Sequence, residues 1–235
     1  MKLSQYTIFD QSLNGLDSNK TLINTINAHS YNTTLADQEF TAALQNCDVL
    51  IPDGISVVWA IRWLTGQKSQ KIAGADLFFY EMERMQKAGG KVFFLGSTEE
   101  TLAKIKSRAA KEYPNVNMGM YSPPYKPEFS EEDNRAILAA VNTFQPDVLF
   151  VGMTAPKQEK WAYRHFNQLS VGHVCCIGAV FDFYAGTINR APAWMIKLGM
   201  EWLYRLVKEP KRMWRRYLVG NSKFVYYVIW EKFFT

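Results

Sequence analysis

Lys91-Val-Phe-Phe-Leu-Gly96, Asp147-Val-Leu-Phe-Val-Gly152 and His173-Val-Cys-Cys-Ile-Gly178 share one grammar: a polar lead, four mostly apolar residues, then a glycine at or just past the end of the run. Apolar runs of this length without polar alternation read as strands buried on both faces, the mark of a parallel sheet. Between the first two, Glu99 to Glu112 carries Leu102, Ile105 and Ala109 on one helical face. Glu131 to Phe144 does the same with Ile137, Leu138, Val141 and Phe144. Ser130 with Asp133 three residues on reads as a helix start, and Pro114 and Pro146 fall just beyond the two helix ends. Upstream, Thr21 to Asn27 and Asp48 to Ile51 read as two further strands around a helix from about Leu35 to Gln45. The fold class is therefore α/β, a parallel sheet flanked by helices.

The composition agrees with a globular chain: of 235 residues, 48% are hydrophobic and 21% charged, which excludes a disordered or collagen-like protein. The three cysteines, Cys47, Cys175 and Cys176, form no CxxC and fit a reducing compartment better than a disulfide framework. The opening residues lack the basic and apolar regions of a signal peptide. The stretch from Tyr217 to Trp230 is broken by Asn221, Ser222 and Lys223, so a transmembrane span is not expected either. A cytoplasmic protein is the expectation.

The net charge of +5 is unevenly placed. Residues 1–196 sum to −1, whereas residues 197–235 hold nine basic residues against Glu201, Glu209 and Glu231. The same 39 residues carry ten of the 34 aromatics, including Trp202, Trp214 and Trp230. Lys/Arg mixed with Trp, Tyr and Phe is what a helix at an anionic membrane surface uses. Two other readings stay open, a nucleic-acid surface and an ordinary solvated helix pair. The division predicts two parts: an α/β domain over 1–196 and a basic, aromatic-rich helical appendage over 197–235.

An open α/β sheet binds ligands at the carboxyl ends of its strands, so the glycines that close the three runs, Gly96, Gly152 and Gly178, point to a crevice there. No GxGxxG and no GxxxxGK[ST] accompanies them, which disfavours a dinucleotide fingerprint and a Walker-type site. Asp53, between Val49-Leu-Ile-Pro52 and Gly54, sits where a general base belongs, and an Asp-Gly turn or helix cap explains it as well. Thr25, Asn27 and His29 are polar where a strand ends. Pro156 opens a helix in which Lys157 and Gln158 could meet an anion, a sugar hydroxyl or a uracil edge, or simply be exposed. There is no DxD pair, no HxxxH or HExxH among His29, His165 and His173, and no GxSxG. No metal site and no cofactor is expected.

Taken together, Thr25-Ile-Asn27, Pro52-Asp-Gly54, Lys71-Ile-Ala-Gly-Ala-Asp76, Pro156-Lys-Gln-Glu159, Gly178-Ala-Val-Phe-Asp182 with Ala185-Gly186, Arg190-Ala-Pro192 and Gly199-Met-Glu-Trp-Leu-Tyr-Arg205 followed by Glu209-Pro210 resemble the WecG/TagA/CpsF family of bacterial glycosyltransferases, glycosyltransferase family 26. The resemblance runs from about Asn24 to Arg216. It implies a Rossmann-like core and a metal-independent, inverting transfer of an N-acetylmannosamine-type sugar from a UDP donor to an undecaprenyl-diphosphate-linked acceptor. The reaction would take place at the inner face of the plasma membrane. The resemblance also implies Asp53 as base with Thr25 and Asn27 beside it, Gln158 in the pocket, and Arg205, Arg212, Arg215 and Arg216 facing the diphosphate. The family commonly has Arg where this chain has Lys71, which keeps the charge but not the bidentate fork. Nucleic acid is then not an expected partner. Self-association stays open, because apolar patches for it and for membrane contact look alike in sequence.

Overall fold

The computed structural model describes residues 2–16 and 19–234. After two short 3-10 turns the chain forms β1 (Thr21–Ile26), α1 (Ala28–Thr34), α2 (Gln38–Gln45), β2 (Val49–Pro52), α3 (Ile55–Thr65) and α4 (Gly74–Ala88). Strand and helix then alternate as β3 (Lys91–Gly96), α5 (Glu99–Glu112), β4 (Asn117–Tyr121), α6 (Glu131–Phe144), β5 (Val148–Gly152), α7 (Lys157–His165) and β6 (His173–Cys176). Helices α8 (Val180–Tyr184), α9 (Ala193–Lys197), α10 (Glu201–Lys208) and α11 (Pro210–Trp214) lead through a π-helical turn, Arg215–Val219, into α12 (Gly220–Phe234).

All six strands join one parallel sheet in the order β2-β1-β6-β5-β3-β4. Neighbouring residues of a strand point to opposite faces, and the core divides accordingly. Phe94, Phe150 and Cys175 join Phe78, Phe181 and Tyr184 on one side. Phe93, Leu149 and Cys176 join Trp161 and Leu169 on the other. The adjacent cysteines thus serve two different cores, and both are fully buried. Each large apolar side chain so buried contributes about 1.5–3 kcal/mol.

The expected helix from about Leu35 to Gln45 is α2, Gln38–Gln45. Asp37 accepts a hydrogen bond from the Phe40 amide and starts α2 afresh, while α1 lies before it. The polar strand exit is corrected in the same way: β1 stops at Ile26, and Asn27 caps α1 by accepting from the His29 and Ser30 amides, both at 3.0 Å. His29 therefore stands on a helix.

A third cluster joins the start of the chain to its end. Leu3, Tyr6 and Tyr31 bury Phe224 and Val228 of α12, with the Tyr31 and Phe224 rings edge to face at 5.5 Å. The Glu231 carboxylate accepts from the Leu3 amide at 2.6 Å and the Ser4 amide at 2.9 Å. The basic segment is thereby folded back across α1, and its arginines are carried over the carboxyl ends of β1 and β2.

Candidate active site

A cavity of about 1460 Å³ runs along the carboxyl ends of the strands. At about 4.8 Å between neighbours, six strands make a trough about 24 Å long. Its wall takes residues from every strand exit: Asp53 after β2, Thr25 and Asn27 at β1, Gly178 after β6, Gly152 at β5, Ser97 after β3 and Ser122 after β4. Lys157, Gln158, Arg205, Arg212, Arg215 and Arg216 line it as well.

Asp53 is held by its own backbone, whose amide donates to the Ile26 carbonyl at 2.8 Å, tying the β2 exit to that of β1. Gly54, not Asp53, occupies the cap position of α3, and its φ of +153° lets the chain turn there. Among the described residues no group donates a hydrogen bond to the Asp53 carboxylate. Burial pushes its pKa up to about 6, with the Glu201 carboxylate adding to the rise; Lys71, Arg205 and Arg216 pull it partly back. A carboxylate with that pKa is largely ionised near neutral pH yet retains basicity, the compromise that proton abstraction favours.

Three of the four charges around Asp53, those of Glu201, Arg205 and Arg216, come from the chain's far end. Glu201 pairs with Arg205 at 3.1 Å and lies 3.8 Å from Arg190. The Arg205 guanidinium also sits 4.8 Å above the Phe183 ring. Arg216 is half-buried; its Nε has no hydrogen-bond partner among the described residues, and burial lowers its pKa. His29 faces it, held neutral with a pKa pushed down to about 4 by burial and by the Arg216 charge. A buried donor without an acceptor is costly to leave so. An anionic ligand would satisfy it.

Gln158 is 3% exposed, and its side chain is already engaged. Its Oε1 accepts from the Met153 amide at 3.2 Å and the Gly178 amide at 3.1 Å, and its Nε2 donates to Glu159 at 2.8 Å. It ties the loop after β5 to the loop after β6. Burial raises the Glu159 pKa to about 7. Lys157 donates to the Lys126 carbonyl at 2.5 Å and lies 3.5 Å from the Phe129 ring centroid, so its ammonium braces the loop after β4.

Two sequence candidates do not reach the wall. Gly96 stands behind Gly152, whose carbonyl oxygen would be 2.5 Å from any Cβ at 96, and the lining there is Ser97, Thr98 and Glu99. Its smallness serves strand packing. Lys71 precedes α4 outside the lining and acts on Asp53 through its charge alone. Gly152 is on the wall, but Phe181 fills the space a side chain would need. Glu201, Arg190 and Asn32 are among the wall residues the sequence did not single out as site candidates, and His29, noted there only as a polar strand exit, joins them on the wall. A signal existed for the first two, which lie in the quoted motifs, and for His29, polar in an apolar context. Asn32 carried none. Among the described residues, no three His, Cys, Asp or Glu side chains gather as metal ligands.

Residues 2–235 match the model of the glycosyl transferase WecG/TagA/CpsF family. An N-acetylglucosaminyldiphosphoundecaprenol N-acetyl-beta-D-mannosaminyltransferase of Bacillus subtilis (strain 168) is 31% identical over 201 residues, 84% of this chain and 75% of that protein. Proteins of the same name from Bacillus spizizenii and Staphylococcus aureus (strain MW2) are 29% and 28% identical, covering 86% and 84% of this chain and 77% and 76% of their own lengths. A match along this length, onto a sheet whose strand exits form the cavity, makes the chain a glycosyltransferase of the WecG/TagA/CpsF family.

Proposed function

We propose that this glycosyltransferase moves an N-acetylmannosamine-type sugar, or its uronic acid, from a UDP donor to a GlcNAc-bearing undecaprenyl diphosphate, with inversion and without a metal. The observation that carries the reading is the meeting, in one cavity, of the Asp53 carboxylate and four arginines, Arg205, Arg212, Arg215 and Arg216. The relatives named above act, by their names, on a diphosphoundecaprenol-linked acceptor.

The chemistry follows from the charges. A sugar hydroxyl is a poor nucleophile near neutral pH, so Asp53 takes its proton as the oxygen attacks the anomeric carbon. The bond to the UDP oxygen breaks on the opposite face, which inverts the centre. Negative charge then grows on the departing diphosphate, and guanidiniums meet it with paired N–H donors in a partly dehydrated site. Thr25 and Asn27 flank the base. Gln158, through its two backbone contacts, holds the loops after β5 and β6 in place for the donor.

The segment 197–235 serves in this reading as a membrane-docking appendage and as the wall that completes the site. Trp194, Leu198, Trp202, Leu203 and Val207 are all exposed beside Lys208 and Lys211. Among the described residues no helix is long and apolar enough to cross a membrane. Contact at the surface of an anionic leaflet is the geometry these residues support.

The test is a panel of UDP-sugars with a polyprenyl-diphosphate-GlcNAc acceptor and EDTA, assayed with wild type and Asp53→Asn. The reading expects UDP release with the N-acetylmannosamine-type donor, from wild type alone. Release of no UDP from any sugar would overturn it.

A further inference from the structure

In Pro156-Lys-Gln-Glu-Lys160, at the start of α7, all but one of the polar side chains have partners that explain them. Lys157 braces the Lys126 carbonyl, and Lys160 pairs with Asp37 and Glu39, each at 3.1 Å. Gln158 Oε1 accepts from the Met153 and Gly178 amides. Glu159 is the exception. It is 2% exposed, no cation pairs with it among the described residues, and its Oε2 is buried with no hydrogen-bond partner there. A buried carboxyl group without a counter-ion costs a fold stability, so packing does not account for it.

The contact Glu159 does make is with its neighbour, whose Nε2 donates to Glu159 Oε1 at 2.8 Å. A primary amide has nearly the same shape in its two orientations but opposite chemistry at its two ends. Turned one way, Gln158 offers its oxygen to the two backbone N–H groups. Turned the other way, its NH2 would face both of those donors, and all of them would go unpaired. A carboxyl group beside Nε2 presents an accepting oxygen whether or not it carries a proton, and so it settles the direction of the amide. What depends on that direction borders the cavity: Met153, and Gly178 with its φ of +57°.

We propose that Glu159 is a positioning residue: by accepting from Gln158 Nε2 it fixes the direction of the Gln158 amide, and through it the Met153 and Gly178 backbone at the wall where the donor rests. The last step of this chain rests on the UDP-donor reading above. Glu159 borders the cavity, but its free oxygen is shut off from solvent. It therefore acts on the donor through Gln158 and the two loops, and takes no part in the proton transfer assigned to Asp53.

Two variants of the full chain test this. Glu159→Leu keeps most of the bulk but removes the acceptor, whereas Glu159→Gln keeps a carbonyl oxygen for Gln158 Nε2 and removes the charge. In Glu159→Leu the Met153 and Gly178 amides are expected to exchange hydrogen about tenfold faster, and donor KM to rise about tenfold, with acceptor KM and kcat as in wild type. Glu159→Gln should match wild type in every respect, the acid limb of kcat/KM included. A merely structural role would instead lower the folded fraction, and with it kcat, leaving both KM values unmoved. Unchanged amide exchange in Glu159→Leu would overturn the positioning, and faster exchange with an unchanged donor KM would overturn its link to the donor. Loss of turnover in Glu159→Gln would make the carboxyl a proton-transfer group and sink the assignment. Exchange needs no substrate, so if wild type fails to bind UDP in calorimetry the donor reading falls, while the amide rates still decide the positioning.

Discussion

Asp53 shows how a single residue's setting decides between structure and chemistry. In sequence it is an Asp-Gly turn as readily as a base; in the fold Gly54 makes the turn, and the carboxylate is left without a hydrogen-bond donor. Its raised pKa has a consequence for stability as well as rate. The folded state favours the protonated carboxyl, so that contribution is fully present below about pH 3.8 and is lost as the pH rises through about 6. Asp53→Asn cannot ionise. Its melting temperature is therefore expected to match wild type near pH 3.8 and to exceed it increasingly from there to about pH 7, with turnover reduced by about a hundredfold or more throughout. Calorimetric scans across that range check the first part. Glu201 adds negative charge beside Asp53, so Glu201→Gln should lower the Asp53 pKa and move the acid limb of kcat/KM below its wild-type position. An unmoved limb would show that the two carboxylates do not interact.

At the scale of elements, much was readable because local and tertiary preferences agree. Helices α5 and α6 match their expected spans, Glu99–Glu112 and Glu131–Phe144, since each buries one face and begins at a capping residue, Thr98 or Ser130. Strands β3, β5 and β6 announce themselves because both of their faces are covered. β4, Asn117-Met-Gly-Met-Tyr121, was missed: it is an edge strand with one partner, exposed or only half-buried, and nothing requires it to be apolar. Helix α1 was missed for another reason, because its polar start reads as a strand exit where Asn27 in fact caps a helix. Most of the pocket's chemistry was present in short motifs, but the meeting of Glu201 with Asp53 depends on how far-separated segments fold together. The π-helical turn before α12 is likewise invisible to periodicity, yet it carries Arg215 and Arg216 to the cavity. Gln158 is the element-level hinge pin of the β5 and β6 loops. Gln158→Ala strands the Met153 and Gly178 amides, each costing about 1–3 kcal/mol if left buried and unpaired. A lower melting temperature together with a raised donor KM is the expected result.

For the whole molecule, the fold-back of the carboxyl-terminal segment joins stability to the cavity wall and, in the proposed function, to membrane docking. Glu231 fastens the last helix to the Leu3 and Ser4 amides, so Glu231→Ala should loosen α12, lower the melting temperature and blunt turnover without touching any cavity residue. The outward side of the same segment predicts binding to vesicles containing phosphatidylglycerol that weakens as salt rises, because exposed charges are screened within about 8 Å at physiological ionic strength. Lys208→Glu with Lys211→Glu should reduce that binding while leaving the turnover of a detergent-dispersed acceptor intact, as both residues lie outside the cavity wall. Co-sedimentation at two salt concentrations is the check. Equal binding to neutral and anionic vesicles would remove the electrostatic part of the docking.

The reaction proposed for the site turns on Asp53 being the base with an ionisation set by its surroundings. The most direct measurement is kcat/KM for sugar transfer against pH in wild type and Asp53→Asn. The wild-type rate is expected to fall tenfold per pH unit below about 6, and the Asp53→Asn variant to show no comparable limb and almost no turnover. A wild-type profile that stays flat well below pH 6, or an Asp53→Asn protein that turns over at the wild-type rate, would contradict it.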